Sequence, residues 1–126
     1  MTLSYLEIYN ENIRDLLNPS GPPSAGGSLE LREDQAGGVR VAGLTEVDTR
    51  STAEVLQLLH RGNRARTVEP TAANRASSRS HALLSVRLTR SAPGTGGVRA
   101  LSRESGRLYM IDLAGSERAS NTKVSF

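Results

Sequence analysis

Leu108-Tyr109-Met110-Ile111-Asp112-Leu113-Ala114-Gly115-Ser116-Glu117 is the stretch on which the reading of the fold turns. An apolar run ends in a carboxylate, and a glycine follows three positions later. A run of that kind fits a strand buried on both faces, in a parallel or mixed sheet with helices around it. Asp112 then falls at the strand's carboxyl end, where open α/β sheets place their ligands. A carboxylate there can hold a magnesium ion through water. A glycine three residues on lets a backbone N–H approach a phosphate. The alternative is a buried strand ending in an ordinary polar turn, and these four positions alone do not decide between the two.

The chain has 126 residues, enough for one small domain with a core. At 37% hydrophobic and 23% charged residues the composition is that of a globular protein. There is one Phe and no Trp, so the core must come from Leu, Val, Ile and Ala. With no cysteine, disulfide frameworks and thiolate metal sites are excluded. No apolar run reaches the length of a membrane span. Fifteen of the sixteen basic residues are Arg, and the net charge is +3. That excess suits an acidic partner without choosing one. Nucleic-acid binding would also want aromatics for stacking, and only 3% are aromatic.

Residues 3–9 alternate partially and read as a strand. Leu3, Tyr5, Glu7 and Tyr9 lie on one face, Leu6 and Ile8 on the other. Asn10-Glu11-Asn12 is a turn, and Ile13 to Leu17 is a second short strand or one helical turn. Residues 18–28 form a Pro/Gly/Ser loop. Leu29–Arg32 and Val39–Val41 make a small hairpin turned by Gly37-Gly38. Arg32 and Arg40 lie on this exposed excursion, where simple solvation is the plainer reading. Residues 52–61 are the clearest helix. Ser51 and Glu54 form a capping box, Val55, Leu58 and Leu59 an apolar face, and Gly62 suits the stop. His81 to Thr89 alternates again, with Ala82, Leu84, Val86 and Leu88 on the inner face. A turn at Pro93–Gly97 would return the chain antiparallel into the opening strand.

Between helix and strand lies a polar loop ending Ser77-Ser78-Arg79-Ser80-His81. Its hydroxyls and N–H groups can complete a magnesium shell, hold a γ-phosphate and orient a water. Glu117 can pair bidentately with Arg79 and latch this loop to the Asp112 turn. Such a latch is a bistable element that nucleotide state can bias. A surface Arg/Ser loop is the bland alternative.

These residues carry a resemblance. Asn74-x-x-Ser77-Ser78-Arg79-Ser80-His81 resembles switch I of the kinesin motor domain, and Asp112-Leu113-Ala114-Gly115-Ser116-Glu117 resembles its switch II. Tyr5-Leu6-Glu7-Ile8-Tyr9-Asn10-Glu11 followed by Ile13-Arg14-Asp15-Leu16-Leu17 also follows the family pattern. The wording between these motifs is most similar to the kinesin-eight group. The resemblance covers about residues 2–120, so 1–120 reads as a partial motor domain and 121–126 as a divergent tail. It implies an α/β fold with a central mixed sheet flanked by helices, a partial P-loop NTPase-like architecture. It implies an ATP-driven microtubule motor with ATP and Mg2+ as cofactors, tubulin as partner, and a cytoplasmic, cytoskeletal location. Nucleic acid and membrane are not expected as partners.

By carry-over, Ser77 and Ser78 contact magnesium, γ-phosphate and the attacking water. Asp112 holds magnesium through water, the Gly115 N–H senses γ-phosphate, and Asn74 lines the site. Arg79 and Glu117 form the latch and relay a proton, while His81 supports the switch I loop. No Gly-x-x-x-x-Gly-Lys-Ser/Thr loop occurs in the sequence. The chain is therefore expected to be the central piece of a motor, inactive alone and left with open sheet edges. A non-catalytic interaction or regulatory fragment is the alternative. The residues left to touch tubulin are Arg32 and Arg40.

Overall fold

The structure, a computed structural model, describes residues 1–20, 28–67, 80–91 and 102–114; side chains are described for all of these except Thr67, Ser91 and residues 102–105. Among the described residues seven strands and one helix follow in order: β1 (Thr2–Tyr9), β2 (Asn12–Asp15), β3 (Glu30–Glu33), β4 (Val39–Ala42), β5 (Val47–Asp48), α1 (Thr52–Thr67), β6 (His81–Ser91) and β7 (Ser102–Asp112). The main sheet runs β2-β1-β6-β7, with β5 also on β1. Every ladder among the described strands is antiparallel. β3 and β4 form a separate hairpin, with Gly37 at φ 78 in its turn.

β1 is the hub because its alternation is obeyed. Leu3, Tyr5 and Glu7 are buried towards α1, and Leu6 is buried on the opposite face. The turn after β1 places Asn10 and Glu11 at φ 49 and 63. Two successive left-handed residues make the primed turn whose twist matches paired strands. Ile13 to Asp15 then pairs back on β1, which settles that segment as strand. Asp15 fixes its far end: its carboxylate accepts from Leu17 N and Asn18 N at 3.0 and 3.2 Å, and from Thr45 N at 2.7 Å.

α1 starts as its cap dictates. Ser51 Oγ accepts from Glu54 N at 3.3 Å, and Glu54 Oε2 accepts from Arg50 N at 2.7 Å. It does not stop at Gly62, as expected from the sequence, but runs on to Thr67. The glycine has a packing reason instead, since the Tyr5 ring lies where a Cβ at position 62 would be. The core joins Leu3, Tyr5, Leu16, Leu17, Ala82 and Leu84 to Val55, Leu58 and Leu59 of the helix.

Two burial expectations are corrected. Leu108, Tyr109, Met110 and Ile111 are exposed rather than buried on both faces. β7 is the last strand in the sheet order, and α1 packs over β1, so no described element covers it. Leu88 is also exposed, because the β1 ladder ends at Arg87 and a bulge follows at Leu88/Thr89. The expected turn at Pro93–Gly97 lies outside the described residues.

Candidate functional site

The site forms at the end of the sheet where β6 begins and β7 ends. Antiparallel pairing in the register Ala82↔Asp112 brings the start of one strand beside the end of the other. Ser80 and His81 therefore meet Asp112, Leu113 and Ala114, although some thirty residues separate them. Two side chains close the junction. His81 Nδ1 accepts from Ala114 N at 2.9 Å, so the neutral ring carries its proton on Nε2. His81 thus anchors the backbone just before Gly115 and supports the Asp112 turn; its expected support of the preceding loop falls on residues outside those described.

The second closure is Arg66, which the sequence reading did not single out. It is buried, at 7% exposure, in the last turn of α1. Its Nη1 donates to Asp112 Oδ2 at 2.6 Å, its Nη2 to Ser80 O at 3.0 Å and its Nε to Ser80 Oγ at 3.3 Å. Ser80 is fully buried and fourteen positions from Arg66. One guanidinium therefore clasps both ends of the segment carrying Ser77, Ser78 and Arg79, and ties them to Asp112. Charge-assisted bonds of this kind are roughly twice as strong as neutral ones. Glu7, on the inner face of β1, lies 3.8 Å from Arg66 Nε and 3.6 Å from Arg14 Nη1.

The Asp112 side chain remains 72% exposed despite its bond to Arg66. Tyr5, Ala82, Leu84, Met110 and Ile111 line a recess of about 190 Å³ beside it. An open carboxylate at a strand's carboxyl end, bonded to its cationic neighbour through Oδ2, suits a hydrated cation. Asn74, Ser77, Ser78, Arg79, Gly115 and Glu117 lie outside the described residues, so the expected Arg79–Glu117 latch does too. Arg32 and Arg40 lie on the separate β3–β4 sheet, not on the strands that form this junction. They face each other across the β3–β4 hairpin, exposed, with Arg32 Nη2 3.5 Å from Glu30 Oε2.

Tyr5 connects the core to this cluster. Its hydroxyl donates to Asn63 Oδ1 at 2.8 Å. Burial pushes the phenol above its ordinary value of 10.0, against the opposing pull of Arg66. A phenol that holds its proton more tightly when folded contributes stability in full below pH 10.0. That contribution is lost as pH rises through the higher folded value. Urea midpoints measured across the alkaline range are expected to fall more steeply for the parent chain than for Tyr5→Phe. Parallel profiles would contradict the assignment.

Comparison with known proteins agrees with the geometry. The sequence profile described as the kinesin motor domain matches residues 1–125. The chain is 57% identical over 125 residues to the human kinesin-like protein KIF19, covering 98% of this chain and 12% of that protein. It is 53% identical over 120 residues to the kinesin-like protein KIN-8A of Arabidopsis thaliana, covering 93% and 15%. A solved structure of a fast kinesin superposes with a TM-score of 0.75 at 40% identity, covering 98% of this chain and 32% of that one. KIF19 and KIN-8A are of the kinesin-eight group, as the wording between motifs implied.

Proposed function

The chain belongs to the kinesin motor-domain family, and from that premise we propose that it is the two-switch centre of an ATP-driven microtubule motor. One observation carries the reading. The flanks of both polar motifs converge at one sheet end, held there by Arg66 and His81, with the Asp112 carboxylate open. Magnesium–ATP, when bound, supplies the transferable phosphoryl group and a cation that neutralises charge developing on it.

The chain's own residues do the rest. Asp112 and Ser77 hold the hydrated cation. Ser78 orients the attacking water, and Asn74 lines the same site. Gly115 offers its N–H to the terminal phosphate. Arg79 and Glu117 pair when that phosphate is present and carry the water's proton away. Catalysis of this kind is mostly positioning and electrostatics, so the clasp that fixes where these groups stand matters as much as the groups. Arg32 and Arg40 are the residues of the β3–β4 hairpin that would face the acidic surface of tubulin. The protein would accordingly act on the cytoplasmic microtubule cytoskeleton.

No phosphate-loop motif occurs among these 126 residues, so we infer that turnover needs that loop from outside them. The chain spans only 12% of the KIF19 sequence it matches, which leaves ample sequence to carry it. The test is microtubule-stimulated phosphate release. None is expected from the 126 residues alone. Expressed with the coding sequence on either side, the protein is expected to turn over ATP, and Arg79→Ala or Glu117→Ala to abolish it. Unchanged turnover in both variants would sink the latch, and no turnover in the longer protein would sink the motor reading.

A further inference from the structure

We infer that Glu7 is a second, buried acceptor for the Arg66 guanidinium, placed to take it when Asp112 is drawn away. The inference rests on the motor reading only for what draws Asp112 away, namely a metal–nucleotide at the open carboxylate. The Glu7 side chain is 1% exposed, and its Oε2 has no hydrogen-bond partner. Arg14 Nη1 stands 3.6 Å from that oxygen, and Arg66 Nε stands 3.8 Å from Oε1. A buried carboxylate oxygen without a bond is costly, on the order of 1–3 kcal/mol or more. Native structures rarely keep one without a use.

That orphan oxygen faces Arg14, while Oε1 faces Arg66 and is the oxygen placed to accept from it. Arg66 has carboxylates on two sides with opposite characters. Asp112 is exposed and free to swing into solvent, while Glu7 is fixed on β1 and shielded from water. Today the guanidinium leans to Asp112, at 2.6 Å. Its bond through Nε to Ser80 Oγ is long, at 3.3 Å. A shift of about 1 Å would bring Nε into hydrogen-bond range of Glu7 Oε1. If Asp112 left and nothing replaced it, a buried cation would lose its strong partner, a penalty that Glu7 removes.

The same shift takes Nε from Ser80 Oγ. What Asp112 does is thereby felt at the start of β6, next to the segment with Ser77 and Ser78. Arg66 is in this sense a two-position element biased by which carboxylate is available. Arg14, half-exposed on β2, holds the charge balance of Glu7 in either position.

Redundant acceptors have a signature that an independent ion pair lacks. In the chain as it stands, Glu7→Gln, Asp112→Asn and the double variant are compared by urea unfolding. Each single variant keeps one carboxylate beside Arg66, and the double leaves it only neutral acceptors, Ser80 among them. The double is expected to raise the unfolding equilibrium constant at least about tenfold beyond the product of the single effects. Effects that multiply within about twofold would overturn the proposal. Should Glu7→Gln fail to fold, Asp112→Asn still decides, because its altered group is exposed. With Glu7 intact, exchange of the Arg66 Nε–H with solvent, followed by NMR, is expected to slow in Asp112→Asn; equal or faster exchange would overturn the proposal. Neither measurement uses nucleotide. A failed motor reading shows instead as absent turnover in the longer protein, with the synergy here intact.

Discussion

Arg66→Met is expected to destabilise the chain by about 3–5 kcal/mol, the range for removing one partner of a buried ion pair. Methionine keeps the apolar length of the side chain, so the loss is of charge and hydrogen bonds rather than volume. At least three bonds go at once, among them those to Asp112, Ser80 O and Ser80 Oγ. Glu7 is left 1% exposed, with Arg14 its remaining cationic neighbour among the described residues. The urea midpoint should fall with little change in slope. Arg61→Met on the exposed side of α1 is the control, expected within about 0.5 kcal/mol. A loss at Arg66 no larger than at Arg61 would mean that the clasp contributes nothing. In the longer protein the same substitution frees both ends of the segment bearing Ser77 and Ser78, so turnover should fall even where the fold survives.

That Arg66 escaped the sequence reading has a physical reason. Val55, Leu59, Gly62 and Arg66 follow one another at helical spacing, so a charge sits on the buried stripe of α1. On β1, Glu7 likewise follows Leu3 and Tyr5 on the inward face. Opposite charges on two stripes that pack together are a readable sign of a buried pair. The sign was lost because Gly62 passed for a helix stop, which put Arg66 in a loop. A glycine in a helix reads the same whether it ends the helix or makes room for a neighbour, and only the partner strand tells the two apart. The local elements were legible because their signals are local: the Ser51 cap, the Gly37 turn, the alternation in β1 and β6. The junction of His81 with Ala114 needed the register of β6 on β7, which no local signal carries. The exposure of Leu108 to Ile111 is hidden from the sequence for a related reason. Apolar content shows what a strand could bury, whereas the sheet order decides what covers it.

Gly62→Ala is expected to reverse the usual rule for helices. Alanine in place of a mid-helix glycine normally gains about 1 kcal/mol. Here the new methyl would fall inside contact distance of Tyr5 Cδ1 and Cε1. The ring has nowhere to go, since Tyr5 is 7% exposed and its hydroxyl is held by Asn63 Oδ1 at 2.8 Å. The helix must shift instead, and overpacking of that kind costs about 1–3 kcal/mol. A net loss of about 1–2 kcal/mol is therefore expected despite the better propensity. The sign should depend on the ring alone. Tyr5→Val removes Cδ1 and Cε1 yet suits a strand, and in that background Gly62→Ala is expected to stabilise by up to about 1 kcal/mol. A stabilising effect in both backgrounds would show that the approach of ring to helix imposes no constraint. A loss confined to the parent would mean that Tyr5 and Gly62 set the seat of α1. Since Arg66 lies one turn beyond Gly62, that seat also decides whether the guanidinium reaches Asp112, and the packing of one tyrosine on one glycine then sets the geometry of the site.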